Sequence, residues 1–229
     1  MRIVQSSDFP DDTTPDDLNR ANSILDYVHS KLVPTLPVSA SNPAHQAADL
    51  VACYIQTILR RSLQLFEGAI YENRQNRRLT SIVCVRAFWE TAAAFMDFAS
   101  ELEKYLASPD KVATRQWIAN QLMRTRLPEF TKENTKAKNI LTQIDKLAKK
   151  YSLARELYDY LSDHSHPNVA GTFGFFGAFE DDFARFNDVS EKNDIRDLLR
   201  ATELVFEYLA AEITDVEDKL SAWRSKGST

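Results

Sequence analysis

Apolar residues recur along this chain at intervals of three and four, the spacing that places them on one side of a helix. Leu18, Ala21, Ile24, Leu25, Val28 and Leu32 form the first stripe. A second, from Leu50 through Val51, Tyr54, Ile55, Ile58, Leu59, Leu65, Phe66 and Ile70, predicts a long helix over about 44–76. A third helix is predicted over about 79–107, and between Leu79 and Met96 its only formal charges are Arg86 and Glu90. A helix that is apolar all round belongs at the centre of a domain. Shorter helices follow over 109–127 and from about Ser152 to His166-Pro167. Between them, Ile140, Leu141, Ile144 and Leu147 keep helical spacing inside a lysine-rich segment, 132–150. The last stripe, from Ile195 to Leu220, predicts a helix over about 191–224.

Local signals punctuate this pattern. Thr14 is a good N-cap, Pro15 suits a first helical position, and Asp16 and Asp17 suit the positive helix end. The three-proline stretch VPTLPVSASNP reads as a connector. Pro167 disfavours helical geometry at His166, which becomes the last or capping residue of its helix. Beyond it, six of the thirteen phenylalanines fall within fourteen residues, 173–186, together with Gly174 and Gly177. That segment reads as a small β-hairpin near 172–187, with Glu180, Asp181 and Asp182 as its turn. The expected fold is mainly α: a bundle of about six or seven helices with one hairpin. The expected organisation is a flexible, solvated N-terminal segment, 1–14, and a single helical domain over 15–226.

Composition narrows the class. Hydrophobic residues make up 44% and charged residues 27%, with a formal net charge of -5. A whole-chain basic footprint for nucleic acid is absent. No run of about eighteen apolar residues stands out as a membrane span, and the acidic start lacks a signal-peptide core. Cys53 and Cys84 lie in apolar helical surroundings and read as reduced thiols of a cytoplasmic protein.

Two places carry candidate chemistry. Arg86 and Glu90, four apart on the most apolar helix, must pair with each other or with other polar groups, because an unpaired buried charge is costly. Tyr158, Ser162 and His166 share a face of a later helix at offsets of four, within possible reach of Arg86. Together these five residues offer a guanidinium, a carboxylate, two hydroxyls and an imidazole, a set suited to acid–base chemistry or phosphate binding. The bland alternative is an intrahelical ion pair beside a capped helix end. The Asp163-His164-Ser165-His166 cluster invites a metal reading, with Glu67, Glu90 or His45 needed to complete it, but a metal needs three or four converging ligands. No cofactor or metal is expected. Lys-rich 132–150 and Arg74, Arg77 and Arg78 offer basic surface to a nucleic-acid backbone, or only solvated helix faces.

Arg86-Ala87-Phe88-Trp89-Glu90, followed by Tyr158-x-x-Leu161-Ser162-x-x-x-His166-Pro167-Asn168 and the glycine-aromatic segment, resembles a group of bacterial helical proteins related to the HEPN (higher eukaryotes and prokaryotes nucleotide-binding) superfamily. The motifs cover about 86–180. The resemblance implies a helical bundle, a homodimer, and nucleotide or RNA binding in stress or phage defence. In HEPN nucleases it also implies metal-independent RNA cleavage through Arg-x(4–6)-His. This chain departs there: Arg155 precedes His164 with eight residues between and His166 with ten. Arg86 would then have to supply the positive charge from another helix. Three readings stay open: a HEPN-like nucleotide- or RNA-binding protein, a helical interaction module with the aromatic hairpin as a dimer contact, and a metal hydrolase using His164 and His166.

Overall fold

The computed structural model describes residues 4–38, 42–124, 136–180, 183–186 and 195–225. Helix starts follow the local caps. In α1 (Pro15–Lys31) Thr14 and Asp17 cap one another reciprocally. Asn42 caps α2 (Pro43–Arg74), which opens with a proline. Asp110 caps α4 (Lys111–Leu122) and Asn139 caps α5 (Ile140–Ala148). Between α2 and α4 runs α3 (Arg78–Leu106), joined to α2 by a three-residue turn in which Asn76 takes a left-handed φ of 57°. Asparagine tolerates that region better than most residues. The helix α6 (Ala154–Ser165) stops where expected, with His166 extended before Pro167. A four-residue turn of helix, α7 (Phe173–Phe176), leads into β1 (Gly177–Glu180), which pairs antiparallel with β2 (Phe183–Phe186). The last helix is α8 (Arg196–Ser225). The protein is therefore a mainly α bundle, with one two-stranded ribbon among the described residues.

The apolar helix is central, as its composition requires. α3 packs against α2, α4, α5, α6 and α8, and α1 lies on α8. Phe66, Phe88 and Phe206 from three helices meet with ring centroids 5.1–6.1 Å apart, two of the three pairs edge-on. By length and composition alone α3 is apolar enough to cross a membrane; here other helices cover much of that surface. The sequence pattern had not singled it out as a span, because Arg86 and Glu90 interrupt the run.

Three expectations change. The N-terminal segment is not simply solvated: Val4 and Phe9 are core residues and Asp8 is fully buried. Asn22 clasps the Val4 backbone from both sides, and Arg74 meets Asp8 at 2.5 Å. Burial of a carboxylate is tolerated when a guanidinium and a backbone N–H, here that of Gln5, satisfy it. Glu180 belongs to strand β1 and pairs with Phe183, not to the turn; Asp181 and Asp182 lie outside the described residues. The lysine-rich segment turns partly inward. Lys138 and Lys146 bind Asp97, which is 2% exposed, and Lys150 binds Glu212. Burial alone would raise the Asp97 carboxyl, but the hydrogen bonds and positive charges of the two lysines together outweigh it and hold the group below its ordinary value. Residues 125–135 lie outside the described part.

One buried acid lies inside the apolar stripe of α8. Glu203 is 1% exposed, its Oε1 has no hydrogen bond, and Arg20 Nε stands 3.6 Å away. Burial pushes its carboxyl up to about 7, only partly opposed by Arg20. The folded chain then holds a proton that the unfolded chain releases above pH ~4.5. The contribution of this group to stability is greatest below that pH, falls as pH rises towards 7, and levels off above it, by ~3 kcal/mol in all. Glu203→Gln is expected to flatten this dependence. Thermal melting at pH 5 and pH 8 should show the variant more stable than wild type at pH 8 and similar at pH 5.

Candidate functional site

The Arg86 guanidinium sits where α3 passes the C-terminal turns of α6. Its Nη1 donates to Ser165 Oγ at 2.7 Å. Its Nε lies 3.2 Å from Glu90 Oε1, near enough for charge pairing but without hydrogen-bond alignment. Tyr158 donates its hydroxyl to the same Glu90 oxygen at 2.8 Å, and its ring lies under the guanidinium at 5.7 Å. Cation–π contact and charge pairing thus act on one side of the group. Burial pushes the Tyr158 phenol up, which keeps it a neutral donor to Glu90. The Arg86 side chain remains 23% exposed and that of Glu90 33%, so the pair sits at the rim of the core and not deep inside it.

Of the five residues singled out from the sequence, Arg86, Glu90 and Tyr158 come together. The hydroxyl that meets the guanidinium is that of Ser165, not Ser162. Ser162 contributes its backbone oxygen, which accepts from Ser165 Oγ at 3.1 Å. His166 is exposed at the helix end, and its ring has no hydrogen bond or ring contact among the described residues. The helical face ends one residue too early to carry it: His166 is already extended, so the four-residue offset from Ser162 no longer aligns the two. His164 is more than a surface residue. Its ring stacks on Tyr160 at 3.9 Å and meets Phe175 edge-on at 5.9 Å, while Nδ1 contacts the Tyr160 carbonyl at 2.8 Å.

The turn after α6 explains the His-Pro-Asn-x-x-Gly pattern. Pro167 ends the helix. Asn168 then reaches back to Asp163 at 2.5 Å and accepts from the Gly171 N–H at 2.8 Å. A Cβ on residue 171 would lie 1.9 Å from the His166 carbonyl oxygen, so only glycine fits. Among the described residues no group of three His, Cys, Asp or Glu side chains is placed to hold a metal ion. Glu67, one of the ligands such a site would have needed, is paired with His29 at 3.0 Å.

From His164 the aromatic contacts run through the buried Phe175 to exposed rings. The Phe175 ring leads to Phe176 at 6.1 Å, and Phe186 pairs with Gly177 across the ribbon. Phe176 and Phe186 are 41% and 74% exposed, and Val169 in the turn is 78% exposed. Ser165 carried no catalytic signal in the sequence beyond its place between two histidines. The exposed rings were visible there as phenylalanines, but not their exposure.

No protein-family model, curated protein or solved structure matches the chain.

Gly171→Ala is expected to lower stability by ~1–3 kcal/mol, because backbone and not a flexible side chain opposes the added carbon. Ser162→Ala, with no side-chain bond to lose, should stay within ~0.5 kcal/mol. Chemical denaturation of the two variants checks the contrast.

Proposed function

We propose that the protein is a HEPN-like cytoplasmic protein that binds RNA or a nucleotide, without cleaving it, on the face running from Arg86 to the ribbon. The observation that carries this reading is a fixed, partly exposed guanidinium against α6, with exposed aromatic rings on the segment that follows that helix. Contacts run from Arg86 to Ser165, then from His164 through Phe175 and Phe176 to the strand paired with Phe186. A phosphate suits the guanidinium, and exposed rings suit unstacked bases. Binding without cleavage follows from two features. The Arg-x(4–6)-His spacing is absent, and the partner that Arg86 meets is a serine hydroxyl instead of an imidazole. The unbridged Cys53 and Cys84 fit a reducing compartment.

A second reading, the helical interaction module, is favoured by the inward contacts of Arg86, every one of which ties α3 to itself or to α6. The exposed ribbon would then be a contact between copies.

Fluorescence anisotropy with a labelled single-stranded RNA and with a labelled nucleotide, at low ionic strength, separates the two. Binding readings expect saturation by wild type and about tenfold weakening in both Arg86→Ala and Phe186→Ala, as loss of one stacked or charged contact gives. Phe186→Ala removes an exposed ring and should leave the melting temperature nearly unchanged. Wild type that binds neither probe overturns the proposal. The interaction module instead expects Phe186→Ala to lower the solution mass.

A further inference from the structure

The seam between the first half of α1 and α8 carries more acid than base. Arg20 of α1 stands 3.2 Å from Asp17, 3.6 Å from Glu203 and 3.7 Å from Glu207. Arg200 of α8 stands 3.3 Å from Asp17 and 3.4 Å from Asp12. Four carboxyls thus share two guanidiniums. Asp12, Asp17 and Glu207 reach solvent, and the Thr14 backbone N–H and hydroxyl hold the Asp17 carboxyl below its ordinary range. Glu203 is the one shut away from water, and its Oε1 accepts no hydrogen bond. Among the described residues no charged side chain of α2 or α3, which pack on other sides of α8, forms an ion pair with it. The excess proton therefore falls to Glu203.

The two ends of α1 are held differently. Toward its C-terminus, Tyr27 bonds Thr214 at 2.8 Å and Lys31 bonds Glu217 at 2.9 Å, both on α8. Toward its N-terminus, the ties to α8 run through Arg20 and Arg200 at 3.3–3.7 Å. We propose that Glu203 is a proton-operated latch: with its carboxyl protonated the first half of α1 stays docked on α8, and with the carboxyl ionised that half opens about the end held by Tyr27 and Lys31. An ionised Glu203 meets one guanidinium already shared with two other carboxylates, and opening gives it water instead. While α1 is docked, burial pushes the carboxyl up to about 7; once exposed it returns towards its ordinary 4.5. Docking is thus tightest below pH ~4.5 and weakens as pH rises through 7. Between pH 6 and pH 8 the equilibrium constant for opening rises about tenfold. Opening uncovers the apolar side of α1, where Ala21 and Leu25 are fully buried in the docked state.

Hydrogen exchange read by mass spectrometry on the full chain, at pH 6 and pH 8 and corrected for intrinsic rates, tests the latch. Peptides from residues 15–24 are expected to be less protected than those of α3 at both pH values, with an opening constant that rises about tenfold. Their lower protection separates this opening from global unfolding, whose pH dependence Glu203 also carries. In Glu203→Gln, which keeps the side-chain shape and cannot ionise, the rise should shrink to less than about twofold. His29, the histidine of α1, is paired with Glu67 and stays in place in that variant. A tenfold rise retained in Glu203→Gln therefore overturns the proposal. So does a wild-type opening constant equal at the two pH values, or protection of 15–24 equal to that of α3, which would mean that α1 opens only with the whole molecule.

Discussion

The structure depends on how α3 is buried. A helix this apolar must be covered on nearly all sides, and each polar group left on it must find a partner from whatever covers it. Those partners come from different elements. Ser81 donates to a backbone oxygen of α2, and Thr91 accepts from Arg61 of the same helix. Trp89 donates to Thr202 of α8. Asp97 takes Lys146 of α5 and Lys138 just before it. Arg86 and Glu90 take Ser165 and Tyr158 of α6. Apolar packing alone would let the neighbours slide. These polar contacts fix α2, α5, α6 and α8 against α3, because a slip leaves a buried donor or acceptor unmet.

Within that frame Arg86 differs from the others. Trp89 and its partner Thr202 are both buried, and Asp97 is buried although its lysines reach the surface. Arg86 is held on one edge and meets solvent on another. The same contacts that set the register of α6 also hold the guanidinium still, and a fixed group loses less freedom when a ligand arrives. A structural role and a binding role are therefore compatible at this residue. The exposed rings beyond α6 matter for the same reason: they extend the surface without contributing much to the core.

Much of the fold was legible because helix starts are local. Thr14-Pro15-Asp17, Asn42-Pro43 and Asp110 each carry their signal within four residues, and Pro167 stops α6 where it stands in the sequence. What was not legible depends on distant partners. The acidic opening hides Val4 and Phe9, whose burial rests on Asn22 and on a carboxylate matched by Arg74, 66 residues away. Lysine excess in 132–150 showed charge but not direction; Asp97, buried on another helix, draws two of those lysines inward. At the candidate site the right helices were paired, but the choice of Ser165 over Ser162 and His166 turns on the last residue of α6, where the period of 3.6 ceases to hold. Glu203 could have been found: it occupies a position inside the apolar stripe between Leu199 and Phe206, where a carboxylate is out of place.

Under the proposed function, the guanidinium that holds α6 on α3 is also the group that meets ligand. Nitrogen-15 spectra of the arginine side chains, recorded while single-stranded RNA is added, observe it directly. The Arg86 resonances are expected to shift progressively and saturate with the oligonucleotide, while the buried Trp89 indole N–H stays in place. Arg86 resonances that do not move at saturating RNA would contradict it.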